Sequence, residues 1–181
     1  AAVAQVQNGW DHRCTFCIIP YGRGNNRSVP LGEIAAQARA LIAGGARELV
    51  LTGVDLSSYG RDLPGKPKLG QAVRRLLVAV PELRRLRLSS LDPAVIDADL
   101  KSLIADEPRL MPHIHLSVQA GDDMILKRMT RRHNPAGILK LTPDLRALSL
   151  GLPLRAALIA GFPTPRDTSF AGTLDPTTAP T

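Results

Sequence analysis

Short apolar runs alternate with longer amphipathic stretches along the chain. Residues 3–7 (VAQVQ) alternate and read as a strand. Over 31–43, apolar positions recur at Ile34, Ala35, Ala38, Leu41 and Ile42, one face of a helix, and Gly44-Gly45 ends it. Residues 48–54 are a near-continuous apolar run, the mark of a strand covered on both faces. Helical spacing returns over 69–80. Residues 85–90 form a strand with Leu86 and Leu88 on one face. The pattern continues with a helix over 95–105, a strand over 113–118 and a short helix over 124–129. A helix over 136–148 is interrupted or started by Pro143, and a fifth strand spans 154–160.

Strand–helix alternation of this kind implies right-handed βαβ units and a parallel sheet. The spacing alone suits an open doubly-wound sheet or part of a (β/α) barrel. Beyond residue 165 the composition turns to Thr, Pro, Asp and Gly, so 166–181 is expected to be a disordered tail and 1–165 the folded domain.

Composition narrows the picture. The chain has 181 residues and 44% hydrophobic content, enough for one domain with a core. No apolar run approaches a membrane span, and no signal peptide is visible, so the expectation is a cytoplasmic protein with no membrane partner. The net charge of +7 favours a polyanionic partner, RNA first, or else an Arg-rich surface that keeps the domain in solution. At 3% aromatic content a base-stacking platform is not expected, and contact with RNA should run mainly through phosphates.

Cys14 and Cys17 are the only cysteines. In a reducing compartment a C-x₂-C pair reads as metal-binding or redox-active rather than as a structural disulfide. Three further segments stand at strand ends, the first two with polar residues. They are Thr52-Gly53-Val54-Asp55, Ser117-Val118-Gln119 and the run to Gly161. Parallel strands bind ligands at their carboxyl ends. Ser117 and Gln119 share a face by alternation, and Gly53 permits close backbone approach. The cluster Lys127-Arg128-Met129-Thr130-Arg131-Arg132-His133 is strongly basic, as are Arg23, Arg27, Arg84, Arg85 and Arg87.

Five stretches carry a resemblance: VQNGWDHRCTFCIIPYGRGNNRSVP (6–30), ELVLTGVDLSSYGRDLPG (48–65), RLRLSSLDP (85–93), RLMPHIHLSVQAGDDMILKRMTRRH (109–133) and LIAGFPT (158–164). Over residues 3–165 the chain resembles the radical-SAM core of the tRNA methylthiotransferases, above all the branch acting on threonylcarbamoyladenosine beside the anticodon. The resemblance selects the partial (β/α) barrel, TIM-like and six-stranded in that superfamily. About five parallel strands are legible here, so the barrel is expected to be incomplete and the chain a truncated copy. The implied activity is methylthiolation at C2 of the modified adenosine of a tRNA. The implied cofactors are a [4Fe–4S] cluster and S-adenosylmethionine.

The resemblance also assigns residues. Cys14 and Cys17 map onto the second and third cluster ligands and Phe16 onto an aromatic position near the adenine. Thr52, Gly53 and Asp55 map onto the segment that meets the cofactor's amino group. Ser117 and Gln119 map onto the ribose segment and Gly161 onto a backbone contact to adenine. Arg132 maps onto the basic residue that reaches the carboxylate. Two departures stand out. Trp10 occupies the position of the first ligand, four residues before Cys14, and an indole offers only an N–H donor. Ala157 stands where the family usually has Asp. His12 could ligate iron, but its family counterpart does not. These departures predict an inactive copy, with a non-catalytic basic RNA-binding module as the alternative.

Overall fold

The computed structural model describes residues 1–149, 151–163 and Ala171. Apart from Ala171, the tail expected over 166–181 lies outside these residues. Five strands run parallel: β1 (Ala2–Asn8), β3 (Leu49–Gly53), β4 (Leu86–Leu88), β5 (Ile114–Gln119) and β6 (Leu154–Leu158). A two-residue strand, β2 (Arg27–Ser28), pairs antiparallel with the end of β1. The parallel strands follow one another in chain order, with no reversal. A barrel arc has that order, whereas a doubly-wound sheet turns back at a switch point.

Pairing is continuous from β1 through β3 to β4, and again from β5 to β6. Between β4 and β5 it reduces to isolated parallel bridges, Leu86 with Leu110 and Leu91 with Leu116. At the second bridge, Leu91 N–H donates to His115 O at 2.8 Å and Ser117 N–H donates to Leu91 O at 2.9 Å.

The helices are α1 (Ile19–Arg23), α2 (Leu31–Ala43), α3 (Leu69–Ala79), α4 (Ala98–Asp106), α5 (Asp123–Arg128) and α6 (Pro135–Leu148). α2 buries Ile34, Ala35 and Ala38 against β1, as its periodicity predicts. Asp97 caps α4 by accepting from Leu100 N–H at 2.9 Å, and the residues before it, Pro93–Val95, form a separate 3₁₀ turn. α6 runs unbroken through Pro143. The Thr142 hydroxyl donates to Ile138 O at 3.0 Å in the turn where the proline removes a donor.

The main core joins the sheet residues Ala4, Val6, Leu49, Leu51, Leu86, Leu88 and Leu116 to the apolar faces of α2, α3 and α4. A smaller cluster of Ala120, Ile125, Leu126 and Met129 secures the segment after β5. Among the described residues no helix is long and apolar enough to cross a membrane.

Candidate active site at the strand ends

The loop after β1 is fixed by backbone geometry. Gly9 has φ +79°, and a Cβ there would fall 1.8 Å from Asn25 O, so only glycine lets the two segments pass. Trp10 N–H then donates to Gly24 O at 2.9 Å, and Cys17 N–H closes a turn onto Cys14 O at 3.0 Å. The Thr15 hydroxyl donates to Arg128 O at 2.8 Å, tying the loop to the end of α5. Both cysteines are free; Cys14 is buried and Cys17 half-buried.

Gln7 organises the floor beside this loop. Its side chain is fully buried; Oε1 accepts the Asp55 N–H at 2.7 Å, and Nε2 donates to Asn26 Oδ1 at 2.7 Å and to Gly9 O at 2.8 Å. A Cβ on Gly53 would meet Gln7 Oε1 at 2.7 Å, so glycine is what admits the amide. Asn26 passes the network to Asp62, which also accepts from the Ser28 hydroxyl and amide. Burial pushes Asp62 up, but these donors outweigh it and hold its carboxyl below the usual range. Asp55 is buried, with Oδ2 3.1 Å from His12 Nε2 and accepting a short hydrogen bond from the Ser58 hydroxyl.

Arg131 enters from the far side. α5 ends in a Schellman turn: Thr130 N–H donates to Lys127 O, Arg131 N–H donates to Leu126 O, and Thr130 takes φ +61°. That turn sends the Arg131 side chain inward, where it is 3% exposed. Nη2 donates to Ser117 O at 2.9 Å and to Asp92 Oδ2 at 3.1 Å, and Nη1 lies 3.7 Å from Cys14 Sγ. Burial alone would raise Asp92. The His133 ring at 3.6 Å, the Ala94 amide and the Arg131 guanidinium reverse this and hold the carboxyl well below the usual range.

These elements enclose a cavity of about 320 Å³ at the carboxyl ends of the parallel strands. It is lined by Trp10, Phe16, Cys17 and Ile19 from the first loop, by Thr52, Gly53, Val54, Asp55 and Ser57, by Ser89, Ser90 and Asp92, and by Ser117, Gln119 and Arg131. Its size falls in the range of small-molecule sites. Gln119 has φ +73° at a break in the β5–β6 register, a strained conformation of the kind that gathers at ligand sites. A second hollow of about 400 Å³ lies around Tyr59, Arg61 and Lys68, apart from the thiols.

The model of the radical SAM superfamily matches residues 5–175. The chain belongs to the radical SAM superfamily. It is 55% identical over 172 residues to a threonylcarbamoyladenosine tRNA methylthiotransferase, MtaB, of Rickettsia prowazekii, covering 95% of this chain and 41% of that protein. It is 39% identical to a tRNA-2-methylthio-N(6)-dimethylallyladenosine synthase of Maricaulis maris, over 97% of this chain and 40% of that one. The chain thus spans about two fifths of the curated relatives it matches. Among solved structures, the radical S-adenosylmethionine methyltransferase TsrM of Kitasatospora setae, with cobalamin and a [4Fe–4S] cluster bound, superposes with a TM-score of 0.76. That match has 16% identity and covers 98% of this chain and 32% of that one. At that identity the likeness supports the fold alone.

Of the expected site residues, this radical SAM core gathers Phe16, Cys17, Thr52, Gly53, Asp55, Ser117 and Gln119 around one cavity, with Trp10 among them. Cys14 lies behind the wall, against Arg131. Arg132 and Gly161 are not among the lining residues; the Arg132 guanidinium is 3.6 Å from Asp92 Oδ2, on the outer side. The sequence pattern gives Asp92 and Gln7 no role, and Arg131 enters there only as part of the basic cluster. The polar run Ser89-Ser90-Leu91-Asp92 after a strand was the available signal for Asp92.

The donor set does not fit a three-thiolate [4Fe–4S] cluster. Two cysteines are present, and among the described residues no group of three or more His, Cys, Asp and Glu side chains could hold a metal. Trp10, at the position the resemblance gives to the first thiolate, carries an indole whose Nε1 is buried and has no hydrogen-bond partner among the described residues. His12 packs edge-on to that indole at 5.6 Å and is committed to Asp55.

Proposed function

We propose that this chain is the radical-SAM core of a tRNA methylthiotransferase acting at C2 of threonylcarbamoyladenosine, and that this copy does not hold a working cluster. The observation that carries the reading is the cavity. It joins the cysteine loop to the ends of β3 and β5 at the residues the resemblance assigns to S-adenosylmethionine. Residues 1–165 form the core domain, tRNA is the partner, and the setting is the cytosol. Similarity to the Rickettsia enzyme supports the choice of branch.

S-adenosylmethionine fits the lining. Phe16 and Ile19 offer apolar surface to an adenine, and Ser117 and Gln119 offer polar atoms to a ribose. Asp55 is held by the Gln7 amide contact and His12, so it presents a fixed carboxylate at the floor rather than a free one. Arg131 would anchor an anionic group through a side chain already oriented by Asp92 and Ser117. When bound, such a cofactor supplies a methyl group or a radical precursor, while the protein supplies orientation and exclusion of water.

The missing thiolate favours a second reading, a basic module that contacts RNA without catalysis. Anaerobic reconstitution followed by iron and sulfide analysis tests the cluster, and RNA binding by the iron-free chain tests the second reading. The expected result is far less than the roughly four irons and four sulfides of a full cube. Trp10→Cys is expected to raise both. A full complement in the unsubstituted chain overturns the inactivity. A folded Trp10→Cys protein that stays iron-free overturns the site assignment.

A further inference from the structure

The segment that supplies Cys17 and Ile19 to the cavity lining also carries exposed side chains that the cofactor reading leaves unused. Tyr21 is 81% exposed and Ile18 77% exposed, and both follow the cysteine loop at α1. The chain has one tryptophan, two tyrosines and three phenylalanines, and Trp10, Phe16 and Tyr21 all lie within this one segment. Few aromatics overall does not mean few aromatics at the cavity mouth.

The same segment is cationic, and among the described residues Arg13, Arg23 and Arg27 form no ion pair. Arg27 donates to Asn25 O and Arg23 O, both at 2.9 Å, and Arg13 donates to Trp10 O at 3.1 Å. These bonds orient the Arg13 and Arg27 guanidinium groups without neutralising them, and Arg13, Arg23 and Arg27 are exposed. The nearby carboxylates keep their charge but bond to uncharged donors rather than to these arginines: Asp11 accepts the Asn26 amide, and Asp62 accepts from Asn26 and Ser28. The tie from Thr15 to Arg128 brings the basic end of α5 alongside. An exposed aromatic face in the same segment as exposed guanidinium groups that form no ion pair matches a single-stranded nucleic acid. Bases stack on the ring and phosphates meet the cations.

We propose that α1 and its flanking loop form a clamp for single-stranded RNA, with Tyr21 stacking on a base next to the one that enters the cavity and Arg13, Arg23 and Arg27 holding the phosphates. The inference rests on the RNA half of the proposed function and not on cluster or cofactor binding. The stacked neighbour would fix the register of the strand over the cavity.

The test uses the purified, cluster-free chain and fluorescence anisotropy with two probes, a labelled RNA stem–loop and a fully paired RNA duplex. The unsubstituted chain should prefer the stem–loop. Tyr21→Ala should weaken stem–loop binding about tenfold, the size of one base–aromatic stack, and leave duplex binding and the salt dependence unchanged. Tyr21→Phe should keep the affinity. Arg27→Gln should lower the slope of log affinity against log salt by about 0.7, one phosphate contact on a single strand. Equal loss on both probes, or no loss in Tyr21→Ala, overturns the clamp while leaving the enzyme reading intact. A change in mass by light scattering with unchanged RNA affinity overturns it in favour of a protein contact. Absence of RNA binding by the unsubstituted chain overturns the clamp and the RNA half of the reading together, whatever the iron analysis gives.

Discussion

Asp55 Oδ2 lies 3.1 Å from His12 Nε2, so the carboxylate expected to meet a ligand ammonium is already held from within the fold. The pair binds the cysteine loop to the segment after β3, and the Asp55 side chain is only 4% exposed. Asp55→Ala removes an acceptor and leaves the His12 nitrogen and the Ser58 hydroxyl without it. The expected cost is about 2–4 kcal/mol, because removing one member of a buried polar set leaves the others unsatisfied. Urea denaturation measures it; a loss below about 0.5 kcal/mol, the level of an ordinary surface change, means the pair is not formed in solution.

Gly53→Ala pushes a methyl group toward Gln7 Oε1, 2.7 Å from the Cβ position, and toward Gln7 Cβ at 3.0 Å. Gln7 is fully buried and bonded on both sides, so it cannot swing away without breaking its bond to the Asp55 amide. Destabilisation of about 1–3 kcal/mol is expected, the range of overpacking in a tight site. Amide exchange at Asp55 should accelerate, and unchanged exchange would rule out the crowding.

Asp92 gives the fold an acid-sensitive element. Its folded carboxyl lies below the ordinary unfolded value of about 3.9. The stabilisation is therefore complete above that value and disappears as pH falls through the lower, folded one. The melting difference between the unsubstituted chain and Asp92→Asn should be largest near neutrality and narrow below about pH 4. A difference independent of pH would contradict this.

Tyr59 works in the opposite direction. Burial first, then the Asp62 charge, pushes its phenol up to about 12, and its hydroxyl donates to Val29 O at 2.8 Å. A raised phenol stabilises the fold fully below the ordinary value of about 10, and that contribution is lost as pH rises toward the folded one. In a Tyr21→Phe background, absorbance titration should report the remaining tyrosine with a midpoint near 12. A midpoint near 10, the ordinary value, would show that the ring is solvated.

Hydrophobic period located most elements well. α2 occupies the residues that its apolar face marks, Leu31–Ala43, because a surface helix shows its period plainly. α1 was missed because Pro20 and Gly22 inside five residues disguise a single turn, and β2 because two residues carry no period. The fourth helix begins at Ala98 rather than 95 because Asp97 is the cap and Pro93–Val95 turns separately. At the site, alternation placed Ser117 and Gln119 correctly on one face, and both line the cavity. Which of Arg131 and Arg132 lines the cavity was not legible. It depends on Thr130 adopting a left-handed conformation, which β-branched residues rarely adopt and composition does not announce.

The gap in the ladder between β4 and β5 gives the cavity a mechanical role. Thr52 and Gly53 belong to one side of that seam and Ser117 and Gln119 to the other, while Arg131 crosses it through Asp92 and the Ser117 carbonyl. Sheet pairing that is not continuous there leaves the two halves freer to open against each other than the paired strands are. Whatever fills the cavity therefore acts as a rivet across two sub-sheets, and occupancy should be readable in the exchange rates of β5 and β6 amides far from any atom that touches the ligand.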